Sequence, residues 1–344
     1  MKKISVIIPC YNAVNYLDSS VSCLVNQSIG IENLELIFVN DASTDKTYEN
    51  LCLWEKKYPQ SIMVINCTEN KKQGAARNIG LSYSTGEYIG FMDDDDIIEL
   101  DMFAKLYDKA INYGCDMVVC GSKRYEKRVK KNISMGRFEN EDTLFDLSNP
   151  DCKKKFLDYD INRAIWNKIY SRKLIQENNI FFPEGYIYDD IFFSELVKHY
   201  VSKVYYLKEY LYHHLVHPNA ASLSTKNWID RLGYFDVNVI LMEELKNRGI
   251  FHDYKERYEN NFILEYITTI KGFIKTYSII PTDILNEMNR ILKLILPEYQ
   301  SNTLFKNMLS GRAGEFYKMV CAGINCEIDE KYVIKLVQAI NNND

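Results

Sequence analysis

The sequence has no apolar run that approaches the roughly 18 residues needed for a transmembrane helix. It also lacks a signal-peptide pattern, because Met1-Lys2-Lys3 leads directly into a strand-like segment and no apolar core with a cleavage site follows. These absences predict a cytoplasmic protein. Peripheral association with the inner face of the membrane is the alternative location.

Cys-x-x-Cys pairs are missing as well, although the chain has 9 cysteines. Most cysteines fall inside apolar stretches, which predicts small buried side chains in a reducing compartment. The formal net charge of -5 argues against general nucleic-acid binding. With 344 residues and 47% hydrophobic content, the chain is long enough for a large core and more than one domain.

Strand and helix patterns alternate through the N-terminal part of the chain. Short apolar or β-branched runs predict strands, and apolar residues at helical spacing predict the helices between them. The strands are predicted at 4–8, 34–39, 62–65 and 88–92, and the helices at 15–27, 43–57 and 74–82. Ser43 or Thr44 is expected to cap the second of these helices. The order predicts an α/β fold with a mostly parallel sheet covered by helices.

The remaining chain is less regular. The predicted elements are a helix at 100–113, a strand at 117–120, a loop at 123–151, helices at 166–177 and 189–200, and a strand at 204–207. From about residue 228, apolar residues recur at helical spacing, which predicts a separate helical region up to residue 344.

Polar side chains follow each of the first four predicted strands. The carboxyl ends of parallel strands meet at one edge, where ligands bind in open α/β sheets. The residues expected there are Pro9, Tyr11, Asn12, Asn40, Asp41, Ser43, Asp45, the stretch 69–78 with Arg77, and Asp93 to Asp96. An aromatic ring can stack on a base, a carboxylate can bind an imide or ribose, and an acid pair can hold Mg²⁺ or Mn²⁺ against a diphosphate. The sequence therefore predicts a metal–nucleotide-diphosphate site.

Other nucleotide-binding and simpler structural interpretations make different demands on the sequence. Neither a P-loop nor a Gly-x-Gly-x-x-Gly turn is present, which argues against a kinase or a dehydrogenase. Residues 93–96 are also consistent with an exposed acidic turn, although the EF-hand spacing of a calcium loop is absent. Taken singly, Tyr11 is consistent with packing, Asp41 with a turn, Arg77 with a surface ion pair, and Asp189-Asp190 with a helix start.

Four segments, in this order, resemble the inverting glycosyltransferases of family 2. They are VIIPCYN at 6–12, VNDASTD at 39–45, QGAARNIG at 73–80 and GEYIGFMDDDD at 86–96. The resemblance covers about residues 1–224 and implies a GT-A fold. Its Rossmann-like nucleotide half would span about 1–105, its acceptor half about 106–227, and the helical C-terminal region 228–344.

The resemblance also implies roles for the acidic run. Asp93 and Asp95 match the Asp-x-Asp motif, in which the second acid binds Mn²⁺ or Mg²⁺ and the first supports the ribose or the metal. Asp94 is a spacer within this donor-binding set, and Asp96 is expected to cap the following helix.

The earlier segments supply the rest of the implied donor site. Tyr11 matches the ring near the base, Asp41 the acid that reads the uracil, and Arg77 the arginine near the base and diphosphate. Pro9 and Asn12 belong to the same donor-binding set. Ala42 departs from the glycine that is usual after Asp41.

A second block is similar to the acceptor half of bacterial members. It consists of WNKIY at 166–170, FPEG at 182–185 and YDDIFF at 188–193. In those members the second acid of a Glu-Asp pair is the catalytic base, so Asp190 is the candidate base, with Asp189 beside it in the catalytic pair. Residues 212–224 resemble a flexible lid, in which His214 or His217 would contact the diphosphate.

The implied reaction transfers a sugar from a nucleotide diphosphate, most simply a UDP-sugar such as UDP-N-acetylglucosamine, to an acceptor hydroxyl. The acceptor would belong to a cell-surface glycan, a lipid-linked sugar or a protein. The C-terminal helices are expected to bind the acceptor, form a homo-oligomer or dock on a membrane. A non-catalytic nucleotide-sugar or carbohydrate-binding subunit and a nucleotidyltransferase are the alternatives.

Overall fold

The computed structural model describes residues 2–126, 131–135, 141–158, 163–216, 228–277 and 281–341. The chain divides into two compact units, Met1–Ala220 and Ala221–Asp344. The first is built on a mixed α/β sheet and the second is helical. The predicted α/β architecture with a helical C-terminal region is confirmed. The division of the first unit into nucleotide and acceptor halves stays a prediction.

A single sheet organises the first unit. Its strands are β1 Ile4–Cys10, β2 Leu34–Asn40, β3 Ile62–Asn66, β4 Tyr88–Phe91, β5 Ile97–Ile98, β6 Met117–Glu126, β7 Lys131–Met135, β8 Thr143–Asp146, β9 Lys168–Ser171 and β10 Lys203–Val216. The main order is β3-β2-β1-β4-β9-β6-β10-β5, with β7 paired to β6 and β8 to β10. Strands β1 to β4 are parallel to their neighbours within this group, whereas β9 runs antiparallel to β4 and β6.

Helices pack on this sheet. They are α1 Leu17–Val25, α2 Thr47–Lys57, α3 Lys72–Tyr83, α4 Met102–Tyr113, α5 Pro150–Asp158, α6 Arg172–Glu177 and α7 Asp189–Tyr200. All residues of β1 are buried, as expected for a parallel strand in the interior of a sheet. At the end of β4, the rings of Phe91, Phe182 and Phe193 form an aromatic cluster directly before the acidic run.

Three predictions about local elements were wrong. The polar stretch 123–151 is not a loop, because β6 extends to Glu126 and β7, β8 and the start of α5 lie within it. The stretch 166–177 is not one helix, because residues of β9 pair with β4 and β6 before the short α6 begins. Pairing with distant strands overrides the local helical spacing there. Helix α2 begins at Thr47, so neither Ser43 nor Thr44 caps it.

The second unit contains α8 Trp228–Asn247, α9 Ile250–Asp253, α10 Lys255–Tyr277, α11 Thr282–Ile295, α12 Thr303–Leu309, α13 Glu315–Gly323 and α14 Glu330–Asn341. The apolar stripe predicted along α10 is core, since Tyr258, Phe262, Tyr266 and Ile270 are all buried. Within the described residues, no helix combines the length and apolar character needed to cross a membrane.

Candidate active site

The loops that follow β1 and β2 are tied together by short hydrogen bonds. The Asn12 backbone N–H donates to Ser43 Oγ at 3.0 Å, and the Thr44 N–H donates to Asn12 Oδ1 at 2.8 Å. Tyr11 stands beside this link with a half-exposed ring, whereas Pro9 is buried within β1. The two loops therefore form one continuous polar surface at the carboxyl edge of the sheet.

The turn after Asp41 explains the glycine expected at the next position. Ala42 has a φ of 57°, and Asn12 in the facing loop has a φ of 54°. Glycine adopts this left-handed backbone without steric cost, whereas alanine does so under strain. The turn forms here despite the Ala42 substitution.

Asp41 is held firmly at the end of β2. It is 4% exposed, and its Oδ1 accepts the Lys71 N–H at 2.9 Å. Burial raises the pKa of Asp41, while the N–H groups of Lys71 and Lys72 act in the opposite direction. The carboxyl group thus lies at the sheet edge in a position set by the loop before α3.

The four consecutive aspartates have different surroundings. Asp94, predicted as a spacer, has a contact of its own, because its Oδ2 accepts the Tyr11 N–H at 3.1 Å and joins the acidic run to the β1 loop. Burial, with the charge of Asp95, raises the pKa of Asp94 well above its usual range. Asp93 is partly exposed, and its Oδ1 accepts from Arg77 at 3.2 Å.

Asp96 does not cap a helix, contrary to the prediction. Helix α4 begins at Met102, and the Asp96 carboxylate is fully buried. It accepts the Tyr212 hydroxyl at 2.6 Å and the Leu215 N–H at 2.8 Å, and it lies 3.3 Å from His214 Nδ1. Burial raises the pKa of Asp96 to about 6, although the bond from His214 acts against the shift.

An aromatic stack completes the surroundings of His214. The Trp166 ring stacks on Tyr212 with centroids 4.1 Å apart and lies nearly parallel to the His214 ring at 5.9 Å. A carboxylate on one ring nitrogen orients an imidazole and directs its other nitrogen elsewhere. His214 is therefore held in a defined orientation near the acidic run, whereas His217 lies outside the described residues.

Arg77 connects the two acid clusters. Its side chain projects from α3, is 3% exposed, and donates from Nη1 to Asp189 Oδ2 at 2.6 Å and from Nη2 to Asp93 Oδ1 at 3.2 Å. Burial alone would lower the pKa of Arg77, but these carboxylates outweigh it and raise the pKa. The guanidinium thus brings residues of the first and second sequence blocks into one site.

The acid pair at the start of α7 is divided by burial. Asp189 is 3% exposed and faces Arg77, whereas Asp190 is partly exposed. Burial, reinforced by the charges of Asp189 and Asp93, raises the pKa of Asp190 to about 6. The two acids of the pair thus differ, because Asp189 is held by Arg77 whereas Asp190 keeps partial exposure.

The residues present fit a divalent cation that shares its ligands with a donor. Within the described residues, no group of three or more His, Cys, Asp or Glu side chains is arranged to bind a metal alone. Asp93 and Asp95 are both partly exposed and offer the hard oxygen ligands that Mg²⁺ and Mn²⁺ prefer. Mg²⁺ sites commonly combine one or two carboxylates with substrate phosphates, and these two carboxylates fit such a ligand set.

The sequence did not reveal the contributions of Trp166, Tyr212 or Phe182. The WNK and FPEG segments indicated that residues near them belong to the site, but their partners lie far away in the chain. The Tyr212–Asp96 bond, for example, spans 116 residues.

A comparison with protein families shows the family of this chain. The family model for glycosyl transferase family 2 matches residues 5–178, just over half of the chain. The chain belongs to glycosyltransferase family 2. The predicted family membership is thereby confirmed. The matched segment contains the predicted donor residues from Pro9 to Asp94.

Bacterial proteins named as glycosyltransferases are similar to this chain in sequence. Glycosyltransferase GlyA of Streptococcus pneumoniae is 31% identical over 248 residues, covering 67% of this chain and 33% of GlyA. Putative glycosyltransferase EpsH of Bacillus subtilis is 27% identical over 280 residues, covering 80% of this chain and 75% of EpsH. The chain thus spans a third of GlyA and three quarters of EpsH.

Solved structures establish the GT-A fold. S. aureus TarS 1-349 in complex with UDP-GlcNAc matches with a TM-score of 0.76 at 17% identity, covering 99% of this chain and 92% of TarS. The mannosyltransferase PcManGT from Pyrobaculum calidifontis, solved with GDP-Man and Mn²⁺, matches with a TM-score of 0.50 at 15% identity, covering 94% of this chain and 86% of that one.

Proposed function

We propose that the protein transfers a sugar from a UDP-sugar, with UDP-N-acetylglucosamine as the first candidate, to an acceptor hydroxyl with inversion at the anomeric carbon. The observation that carries this proposal is the Arg77 bridge between Asp93 and Asp189. It brings the Asp-x-Asp acids close to a second, separate acid pair. The UDP-GlcNAc bound in TarS supports the choice of donor.

In the proposed reaction, Asp190 accepts the proton of the acceptor hydroxyl. The hydroxyl oxygen forms a bond to the anomeric carbon, and the bond from that carbon to the diphosphate oxygen breaks on the opposite face. UDP leaves with the electron pair. Because Asp189 is buried against Arg77, we assign it to holding that guanidinium rather than to proton transfer.

The donor would lie along the carboxyl edge of β1, β2 and β4. Tyr11, Asn12 and Asp41 would contact the uridine, with Pro9 buried beneath this loop, and His214 would face the diphosphate. Asp95 and Asp93 would hold Mn²⁺ or Mg²⁺, and the bound ion supplies positive charge beside the leaving diphosphate. The Mn²⁺ found in PcManGT supports this assignment.

A thermal-shift screen of UDP-sugars and GDP-mannose, with and without Mn²⁺, tests donor and metal together. A UDP-sugar at about 100 times its Kd should stabilise the protein by about 2.7 kcal/mol. Asp95→Asn should weaken Mn²⁺-dependent UDP binding by about tenfold or more, whereas Asp108→Asn, which changes an exposed acid on α4, should not.

Three outcomes would contradict parts of the proposal. Preferential stabilisation by GDP-mannose would exclude uridine recognition. Equal UDP binding by the Asp95→Asn variant and wild type would remove that acid from the metal site. UDP-sugar binding without any turnover, with or without candidate acceptors, would favour a non-catalytic binding subunit.

The pH dependence of turnover follows from the proton affinity of Asp190. Its pKa is raised to about 6 by burial and by Asp189 and Asp93, so the group is protonated below that pH and cannot act as a base. We expect kcat/KM to rise with pH through about 6. Because burial also raises the pKa of Asp96 to about 6, the profile of Asp96→Asn separates the two groups. If kcat/KM of Asp96→Asn still rises with pH through about 6, the result supports Asp190 as the base. If that rise is lost in Asp96→Asn, the result contradicts the assignment of Asp190.

A further inference from the structure

We propose that residues 72–78 of α3 form a clamp that positions the candidate base. Asn78 and Gly74 are its positioning residues, beside Arg77. This inference rests on the proposed function, because it concerns where Asp190 stands relative to the donor. It also gives a role to the QGAARN segment beyond donor contact, since three of its side chains or backbone positions meet the segment that leads into α7.

The Asn78 side chain forms hydrogen bonds with both backbone groups of Phe182. Its Oδ1 accepts the Phe182 N–H at 2.9 Å, and its Nδ2 donates to the Phe182 carbonyl oxygen at 2.9 Å and to Glu184 Oε1 at 3.0 Å. One side-chain amide thus replaces the pair of bonds that a neighbouring strand would make. Only an amide side chain combines this acceptor with two N–H donors.

The ring of Phe182 connects these hydrogen bonds to α7 by packing. It is fully buried and stacks on Phe193 with centroids 4.2 Å apart and planes 2° apart. Phe193 lies four residues after Asp189, so both project from the same face of α7. Helix α3 therefore holds α7 at two points, directly through the Arg77–Asp189 pair and indirectly through Asn78 and Phe182.

Gly74 makes this close approach sterically feasible. A Cβ at this position would lie 2.4 Å from the Pro183 carbonyl oxygen and 3.4 Å from Asp189 Cβ. The first distance is far below van der Waals contact, so any side chain would push the 182–188 segment away from α3. A glycine at this point allows the backbone to come close to another backbone.

The 183–188 segment needs such external support. It has no regular secondary structure, and Gly185 and Tyr188 have left-handed φ values of 81° and 66°. The Lys72 ammonium adds a bond to the Gly185 carbonyl oxygen at 2.8 Å. Since a displacement of about 1 Å can reduce catalysis by about 10²-fold, contacts that fix the entry to α7 also fix the reactivity of Asp190.

Hydrogen exchange and UDP release from UDP-N-acetylglucosamine test the clamp, with water taking the acceptor's place. Asn78→Ala and Gly74→Ala should each speed amide exchange in residues 181–190 and lower turnover by about tenfold or more. The Kd for UDP with Mn²⁺ should stay within about twofold, because the donor acids keep their own contacts.

Two further variants distinguish positioning from a general loss of stability. Asn33→Ala removes an amide that bonds Ile29 O before β2, and it should change neither exchange in 181–190 nor turnover. Asn78→Asp keeps the acceptor for the Phe182 N–H but faces Glu184, so adding Glu184→Gln should restore part of the lost turnover.

Unchanged exchange in residues 181–190 of Asn78→Ala would overturn the clamp. So would faster exchange accompanied by wild-type turnover, because the segment would then be held without effect on the base. If the wild-type enzyme released no UDP from any UDP-sugar, with or without candidate acceptors, the proposed function would fail, while the exchange comparison would still decide whether Asn78 holds this segment.

Discussion

Asp190→Asn is expected to reduce sugar transfer by about 10²–10⁴-fold, the usual contribution of a general base. The amide matches the carboxylate in size but cannot accept the acceptor's proton at neutral pH. UDP binding with Mn²⁺ should stay within about twofold of wild type, because Asp190 acts on the acceptor and not on the uridine. Calorimetry with UDP and a transfer assay on the same preparation measure both quantities.

A matched substitution at an exposed aspartate makes this test specific. Asp108→Asn changes the same functional group at an exposed position on α4 and should leave transfer unchanged. Full transfer activity in Asp190→Asn would exclude Asp190 as the base. A parallel loss of UDP binding would instead indicate that the substitution disturbs the Arg77 network.

Arg77→Met is expected to lower the free energy of unfolding by about 3–5 kcal/mol, since removing one partner of a buried ion pair leaves an unpaired buried charge. Arg77 and Asp189 are each 3% exposed, so water cannot replace the lost guanidinium. Urea unfolding monitored by circular dichroism measures the change. Donor turnover should fall as well, because Asp93 loses the same partner.

The double variant Arg77→Met/Asp189→Asn separates the two contributions. It should recover a large part of the lost stability, because neither buried charge remains, while turnover stays low. Arg290→Met removes an arginine from an exposed pair with Glu287 and should not shift the unfolding midpoint measurably. A destabilisation of the double variant equal to that of Arg77→Met would contradict the buried-charge explanation.

Local sequence patterns predict the secondary structure of the first half of the fold. The runs that form β1, β2, β3 and β4 are short, apolar and separated by helical spacing, so their positions were predicted to within about two residues. Local patterns predict the second half less well, because they indicate a helix at 166–177 where β9 forms. Strand β9 exists because β4 and β6 flank it, and those partners are distant in sequence.

The candidate site also contains features that local sequence does not predict. The neighbours of Asp94 and Asp96 in the chain predict a spacer and a helix cap. Their partners are Tyr11 and Tyr212, which are 83 and 116 residues away. No periodicity in the sequence encodes such pairings, because they depend on which loops the folded sheet brings together.

By itself, the sequence determined the family, the alternation of strands and helices, and the presence of two acid clusters, because these follow from local composition and from the order of short segments. The tertiary structure alone decided which carboxylates are buried, that Arg77 joins Asp93 to Asp189, and that Asp190 is left partly exposed. Burial and ion pairing set the charge and proton affinity of each aspartate, and both arise from packing between residues that are far apart in the chain.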